Sequence, residues 1–211
     1  MTSPAAAERA RLCDLFLDVG PDAPTLSGDW TARDLAAHLV VRERRPDAGP
    51  GLVTSMLAGY TERVRRGEAE RPYQEIVQRL RSGPPRWSPM RLDGVDRLVN
   101  TVEFFVHHED VRRARQPWSP RPLEPELTAA LTTAVGSPMG RALVRSCPVG
   151  LAVEPEGAPG VRLRAGEPTV AVAGPIGEIV LFLYGRTAVA EVDLDGDPDA
   201  VAAVRAARFG L

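Results

Sequence analysis

Apolar residues change their spacing near residue 140 of this chain. Before that point they recur mainly three and four apart, as on amphipathic helices; after it, short β-branched runs alternate with glycine and proline. In the first half a helix is predicted over residues 4–18, with Leu12, Leu15, Phe16 and Val19 as its apolar stripe. The segment GDWTARDLAAHLVVRERR places Asp34 three residues after Thr31, a loose capping box, so a second helix starts there and stops at Pro46. A third helix is read from residue 51 to 67. A fourth spans 72–83, with proline at its start and glycine at its end. The longest candidate covers 93–115, and a last helix covers 124–141.

In the second half, strands are predicted at 149–153, 161–164, 169–173 and 189–194. A buried helix is read at 176–186, and DGDP caps a C-terminal helix at 198–208. The predicted fold class is therefore α+β, with a helical bundle over residues 1–141 and a small α+β domain over 142–211.

The segment EFFVHHEDVRRA breaks the usual amphipathic pattern. On a helical wheel stepping about 100° per residue, Glu103, His107 and Asp110 share one face, and Asn100 joins them. Val99, Val102 and Val106 lie on one side of this polar stripe, with Phe104 and Val111 on the other. The polar groups thus fall inside the apolar arc, where a surface helix would not put them. A carboxylate and an imidazole buried together are costly unless paired or bound to a cation. A divalent ion such as zinc solves this, accepting imidazole nitrogen and carboxylate oxygen at about 2.0–2.2 Å.

The third histidine of the chain, His38, repeats the pattern, flanked by Trp30, Ala37 and Val41 on one side and Leu35 and Leu39 on the other. Taken singly, each such residue reads as a satisfied core side chain; taken together, His38, Glu103 and His107 read as a three-ligand metal site. Three protein ligands leave a coordination position open, as in catalytic rather than structural sites. Asp110 is read as an acceptor that orients an imidazole. His108 falls off the shared face and is read as solvent-facing or outside the ligand set. Arg42, one turn after His38, is a candidate to bind a cofactor or an acidic substrate; the alternative places it in the solvated RERR run.

Composition narrows the function classes. A net charge of -2 with 26% charged residues gives no argument for a nucleic-acid or anionic-membrane partner. No apolar run approaches the ~18–20 residues of a membrane span. MTSPAAAERARL lacks the features of a secretion signal, so a cytoplasmic location is expected, with Cys13 and Cys147 reduced. All 26 basic residues are arginine, a bias that fits a high-GC bacterium.

The segments WTARDLAAHL (30–39) and EFFVHHEDV (103–111) resemble the metal-binding N-terminal domain of the mycothiol-dependent maleylpyruvate isomerase family, part of the wider DinB-like group of four-helix bundles. GPIGEIVLFLYGR and VDLDGDPDAV are similar to that family's sterol-carrier-protein-like C-terminal domain. The resemblance implies a DinB-like bundle followed by the small α+β domain. It implies zinc, or another divalent metal, on His38, Glu103 and His107, the same three residues the wheels bring together. It further implies mycothiol, the small thiol of actinobacteria, as cofactor, and an electrophilic small-molecule substrate that the thiol attacks in a transferase or isomerase reaction. Arg186, in LYGR, matches a family arginine at the start of the last αβ segment, and the resemblance makes it a catalytic candidate that reaches the metal cleft; the alternative is a helix-terminal arginine capping carbonyls. A homo-oligomer is left open. Two competing expectations are a non-catalytic, metal-stabilised module that binds a ligand or partner, and a metal-dependent hydrolase. The hydrolase lacks any evident general base other than Glu109 or Asp110.

Overall fold

The computed structural model describes residues 3–47, 55–92, 94 and 96–210. The chain divides into two compact units, Met1–Ser119 and Pro120–Leu211.

The first unit is helical. α1 (Pro4–Val19) starts where Ser3 Oγ accepts from the Ala6 amide and ends at Gly20, whose φ of 82° closes the last turn onto the Phe16 carbonyl. α2 (Ala32–Arg44) opens on the expected capping box: Asp34 Oδ2 accepts from the Thr31 amide at 3.1 Å, and Thr31 Oγ1 accepts from the Asp34 amide at 3.4 Å. α3 (Ser55–Ala69) corresponds to the third predicted helix, whose first residues, 51–54, lie outside the described residues. α4 (Tyr73–Arg81) begins after Pro72. The long helix predicted at 93–115 is instead a π-helical turn, Asp96–Asn100, leading into α5 (Thr101–Arg112).

α1 packs against α5 and α4, and α2 packs against α3 and α4. Leu12, Phe16, Leu35, Leu39, Ile76, Leu80 and Phe104 meet in the core between them. Tyr73 donates its hydroxyl to the Phe16 carbonyl at 2.8 Å, tying α4 to α1. α5 is buried almost all round, from Thr101 to Val111, apart from Glu103.

The second unit starts earlier than the expected boundary at 141/142. The helix predicted at 124–141 is two helices, α6 (Pro125–Gly136) and α7 (Pro138–Leu143), separated at Pro138. α6 carries Leu131, Ala134 and Val135 into the second unit, where it packs on α8 (Ile176–Leu183). Its apolar residues are satisfied there, so it belongs to that unit although its spacing reads as one more helix of the bundle. Gly140 permits the α6–α7 junction, since a Cβ there would meet the Val135 carbonyl oxygen at 1.9 Å.

The sheet is four-stranded and mixed, in the order β2-β1-β3-β4. β1 (Gly150–Pro155) pairs antiparallel with β2 (Val161–Arg164) and parallel with β3 (Thr169–Gly174); β4 (Asp193–Asp195) pairs antiparallel with β3. The parallel β1–β3 pair requires a crossover, and β2 with its flanking turns supplies it. Leu151, Val153, Val170 and Val172 are buried, together with nearly the whole of α8. α9 (Pro198–Ala206) is capped by Asp197, whose Oδ1 accepts from the Asp199 and Ala200 amides. The strand expected at 189–194 is confined to 193–195. The α+β class stands: a helical N-terminal region, then a four-stranded mixed sheet with helices.

Candidate metal centre

α2 and α5 bring His38, Glu103 and His107 to one point. His38 Nε2 and His107 Nε2 each lie 3.3 Å from the same oxygen, Glu103 Oε1. The three donor atoms all lie within 4.8 Å of one another. Ligand atoms about 2.0–2.1 Å from a tetrahedral ion stand ~3.3–3.4 Å apart, which is the spacing of both His–Glu pairs. The imidazoles meet edge to face, with centroids 5.5 Å apart and 74° between planes. The donor set, two imidazole nitrogens and one carboxylate oxygen, fits zinc or a similar divalent ion. The Glu103 side chain keeps 22% of its surface exposed, so water can reach the cluster.

Each ligand has support behind it. His107 Nδ1 is 2.9 Å from Asp110 Oδ2, and Ser27 Oγ donates to that same oxygen at 2.8 Å. The Leu26 amide donates to the Asp110 carbonyl at 3.1 Å, pinning the loop ahead of α2 onto α5. An aspartate so placed accepts Nδ1–H and leaves the Nε2 lone pair aimed at Glu103 and any bound ion. The His38 ring rests on Trp30 at 5.1 Å between centroids. Arg65, held by Asp34 and Glu62, lies over the Trp30 ring at 5.0 Å, so the wall behind His38 is itself fixed.

Arg42 faces Glu103, with Nε 3.4 Å from Oε1, and its Nη1 donates to Asn100 Oδ1 at 2.8 Å. Asn100 Nδ2 donates in turn to the Met90 carbonyl at 2.8 Å.

The charge states follow from these contacts. Burial alone would raise the Glu103 carboxyl; Arg42, His107 and His38 outweigh it and hold the carboxyl well below its ordinary value. Burial lowers His38, and Glu103 only partly offsets this, so the ring favours its neutral, ligating form. Burial works the same way on His107, but hydrogen bonds to Asp110 and Glu103 win and push it up to about 9 in the metal-free protein. A metal held by this nitrogen would have to displace the proton His107 carries at neutral pH.

The structure brings together His38, Glu103 and His107, with Asp110 and Arg42 directly behind them. Two expectations change. Arg42 is not part of a solvated run: its side chain is 8% exposed and turned inward. His108 is not solvent-facing: it is buried, with Nδ1 3.0 Å from Glu8 Oε2 on α1. Asp110, read as an acceptor that orients an imidazole, has its carboxylate engaged by His107 and Ser27, the geometry of a positioning residue. Arg186 lies just past α8 in the second unit, where its Nη1 donates to the Tyr184 carbonyl at 2.7 Å, the carbonyl-capping alternative. Ser27 carried no signal in the sequence, because it sits in a loop without periodicity. Trp30 was legible only as an apolar neighbour of His38.

Replacing Asp110 by asparagine keeps the shape and removes the charge. The expected result is a ~10–100-fold loss of metal affinity with the fold retained, read by competition with a chromophoric chelator.

No family model and no curated protein sequence matches this chain. Two solved structures are similar to it, both crystal structures of the mycothiol-dependent maleylpyruvate isomerase, one of them a histidine-to-alanine mutant. The mutant aligns with a TM-score of 0.56 at 14% identity, over 90% of this chain and 88% of that one. The other aligns with a TM-score of 0.50 at 15% identity over the same shares. At such identity the likeness shows the fold: this chain has the architecture of the mycothiol-dependent maleylpyruvate isomerase, a helical N-terminal region joined to a four-stranded mixed sheet with helices.

Proposed function

We propose that this chain is a divalent-metal-dependent enzyme of thiol chemistry, a transferase or isomerase in which a small thiol, mycothiol, attacks an electrophilic substrate. The observation that carries the proposal is the convergence of His38 Nε2 and His107 Nε2 on Glu103 Oε1, both at 3.3 Å, with all three donors within 4.8 Å of one another in a cluster that solvent can reach. A divalent ion held there supplies Lewis acidity, favouring thiolate over thiol and polarising a carbonyl. Glu103 contributes a ligand that stays ionised because Arg42 and both imidazoles face it. Asp110 keeps His107 in the ligating tautomer, and Trp30 holds the plane of His38.

Thiol chemistry is favoured over hydrolysis by the state of the two carboxylates that could serve as general base. Glu109 is fully buried and bonded to Arg112 and Arg113, at 2.8 and 2.7 Å. Asp110 is committed to His107 and Ser27. Neither is placed to deprotonate a water.

The test is a panel of electrophiles, maleylpyruvate included, assayed with mycothiol and with metal-loaded protein. Turnover is expected only with both thiol and metal present. Metal-dependent thermal stability with no turnover across the panel would instead mark a non-catalytic, metal-stabilised module.

A further inference from the structure

Arg42 adds a charge to the candidate metal centre, and its role there rests on His38, Glu103 and His107 holding a divalent ion. One turn after His38, it invites the role of a docking group for an acidic molecule. Its guanidinium is instead held by the protein at both ends. Nη1 donates to Asn100 Oδ1 at 2.8 Å, and Nε faces Glu103 Oε1 at 3.4 Å. Asn100 is fully buried at the end of the π-helical turn, and its own amide is fixed on the Met90 carbonyl. Arg42 therefore faces the one oxygen on which both imidazole nitrogens converge, and its side chain has little freedom to leave.

This placement has a cost that a purely structural arginine would avoid. A fixed cation beside a carboxylate ligand opposes the arrival of a metal cation. Among the described groups around the three ligands, Glu103 and Asp110 bring two negative charges and Arg42 one positive. Ligating imidazoles are neutral. A divalent ion then leaves the loaded cluster with one net positive charge, whereas without Arg42 it would be neutral. In a partly desolvated site such an imbalance is strongly felt by whatever occupies the open position.

We propose that Arg42 is a built-in positive charge that makes the metal-loaded centre select an anionic ligand, a thiolate or a carboxylate, over its neutral counterpart. It acts through the cluster's charge and through Glu103, so it is a positioning and selectivity residue rather than a contact for substrate.

The test uses the full-length chain, stripped of metal and reloaded with cobalt(II), with azide as the anionic probe and the visible cobalt spectrum as the readout. Arg42→Met should keep about one cobalt per chain, bound at least as tightly as in wild type, while its azide dissociation constant rises about tenfold or more. Arg42→Lys, which keeps the charge, should stay within about threefold of wild type. Arg42→Gln provides a second neutral variant, expected to match Arg42→Met. Azide affinity that is unchanged in the neutral variants, or lost equally in Arg42→Lys, overturns the proposal. Neutral variants that unfold or no longer take up cobalt overturn it too, because Arg42 would then be structural. Failure of the wild-type chain to take up cobalt would remove the metal centre itself, and this inference with it. Normal cobalt uptake with no effect of Arg42 charge on azide would sink only this inference.

Discussion

Replacing His107 by alanine is expected to weaken metal binding ~100- to 1,000-fold. Zinc sites bound through four protein ligands gain apparent free energies of ~10–16 kcal/mol, so one ligand is worth about 2.5–4 kcal/mol. The same loss is expected for His38→Ala, because the two imidazoles face Glu103 Oε1 at the same distance. A pH signature should accompany the wild-type protein. In the absence of metal His107 is pushed up to about 9, so at neutral pH it carries a proton that the metal must expel. Calorimetry in buffers of different ionisation enthalpy should detect about one proton released per metal bound near pH 7.5, and affinity should climb with pH until about 9. The metal-free protein should show the opposite trend in stability. A histidine raised from 6.5 to about 9 contributes its full stabilisation below 6.5 and loses it as pH rises through about 9. Denaturant titrations of metal-free protein at pH 6, 8 and 10 would show this directly. His107→Ala should abolish both the proton release and the slope.

The second large effect lies in the core of the helical unit. Arg9 on α1 pairs with Glu43 on α2, and both side chains are almost fully enclosed. Arg9 also lies over the Phe104 ring at 4.6 Å. Burial raises the Glu43 carboxyl, and Arg9 is the main group opposing that rise. The pairing is incomplete, since Glu43 Oε2 and Arg9 Nε are buried without hydrogen-bond partners among the described residues. Arg9→Met should therefore cost about 3–5 kcal/mol at pH 7, because it strands a buried carboxylate. The deficit should shrink towards acid pH. An acid whose folded pKa lies above its unfolded value loses stability as pH rises and regains it as the carboxyl protonates. Combining Arg9→Met with Glu43→Leu should recover most of the loss, since an apolar pair of similar volume is often as stable as a buried ion pair. Chemical denaturation of the three variants at pH 7 and pH 5 would check all of this.

Much of the centre was legible in the sequence for a physical reason. Polar groups that fall inside an apolar arc need a partner, and the wheel of α5 put Glu103, His107 and Asp110 there together. The capping box at Thr31 set the start of α2 and so the phase of His38. The same wheel misplaced His108, because it assumes a helix with a wet side; α5 is buried nearly all round, and His108 finds Glu8 across the α1 interface. Arg42 was hidden by its neighbours in RERR, of which Arg45 is exposed while Arg42 and Glu43 turn inward. The π-helical turn at Asp96–Asn100 leaves no mark in periodicity, yet it ends at the residue that anchors Arg42. Residues 124–141 read as one more helix of the bundle because spacing reports that a helix has an apolar face and not which surface covers it. That surface is α8, some forty residues further on and beyond the reach of any local pattern.

The most direct measurement is the metal content of the untagged chain, purified without added metal, by elemental analysis beside His107→Ala treated identically. The expected result is about one divalent ion per wild-type chain and almost none in the variant. Wild-type protein that carries no ion and takes none up on titration, or a variant that retains a full complement, would contradict a His38–Glu103–His107 metal centre.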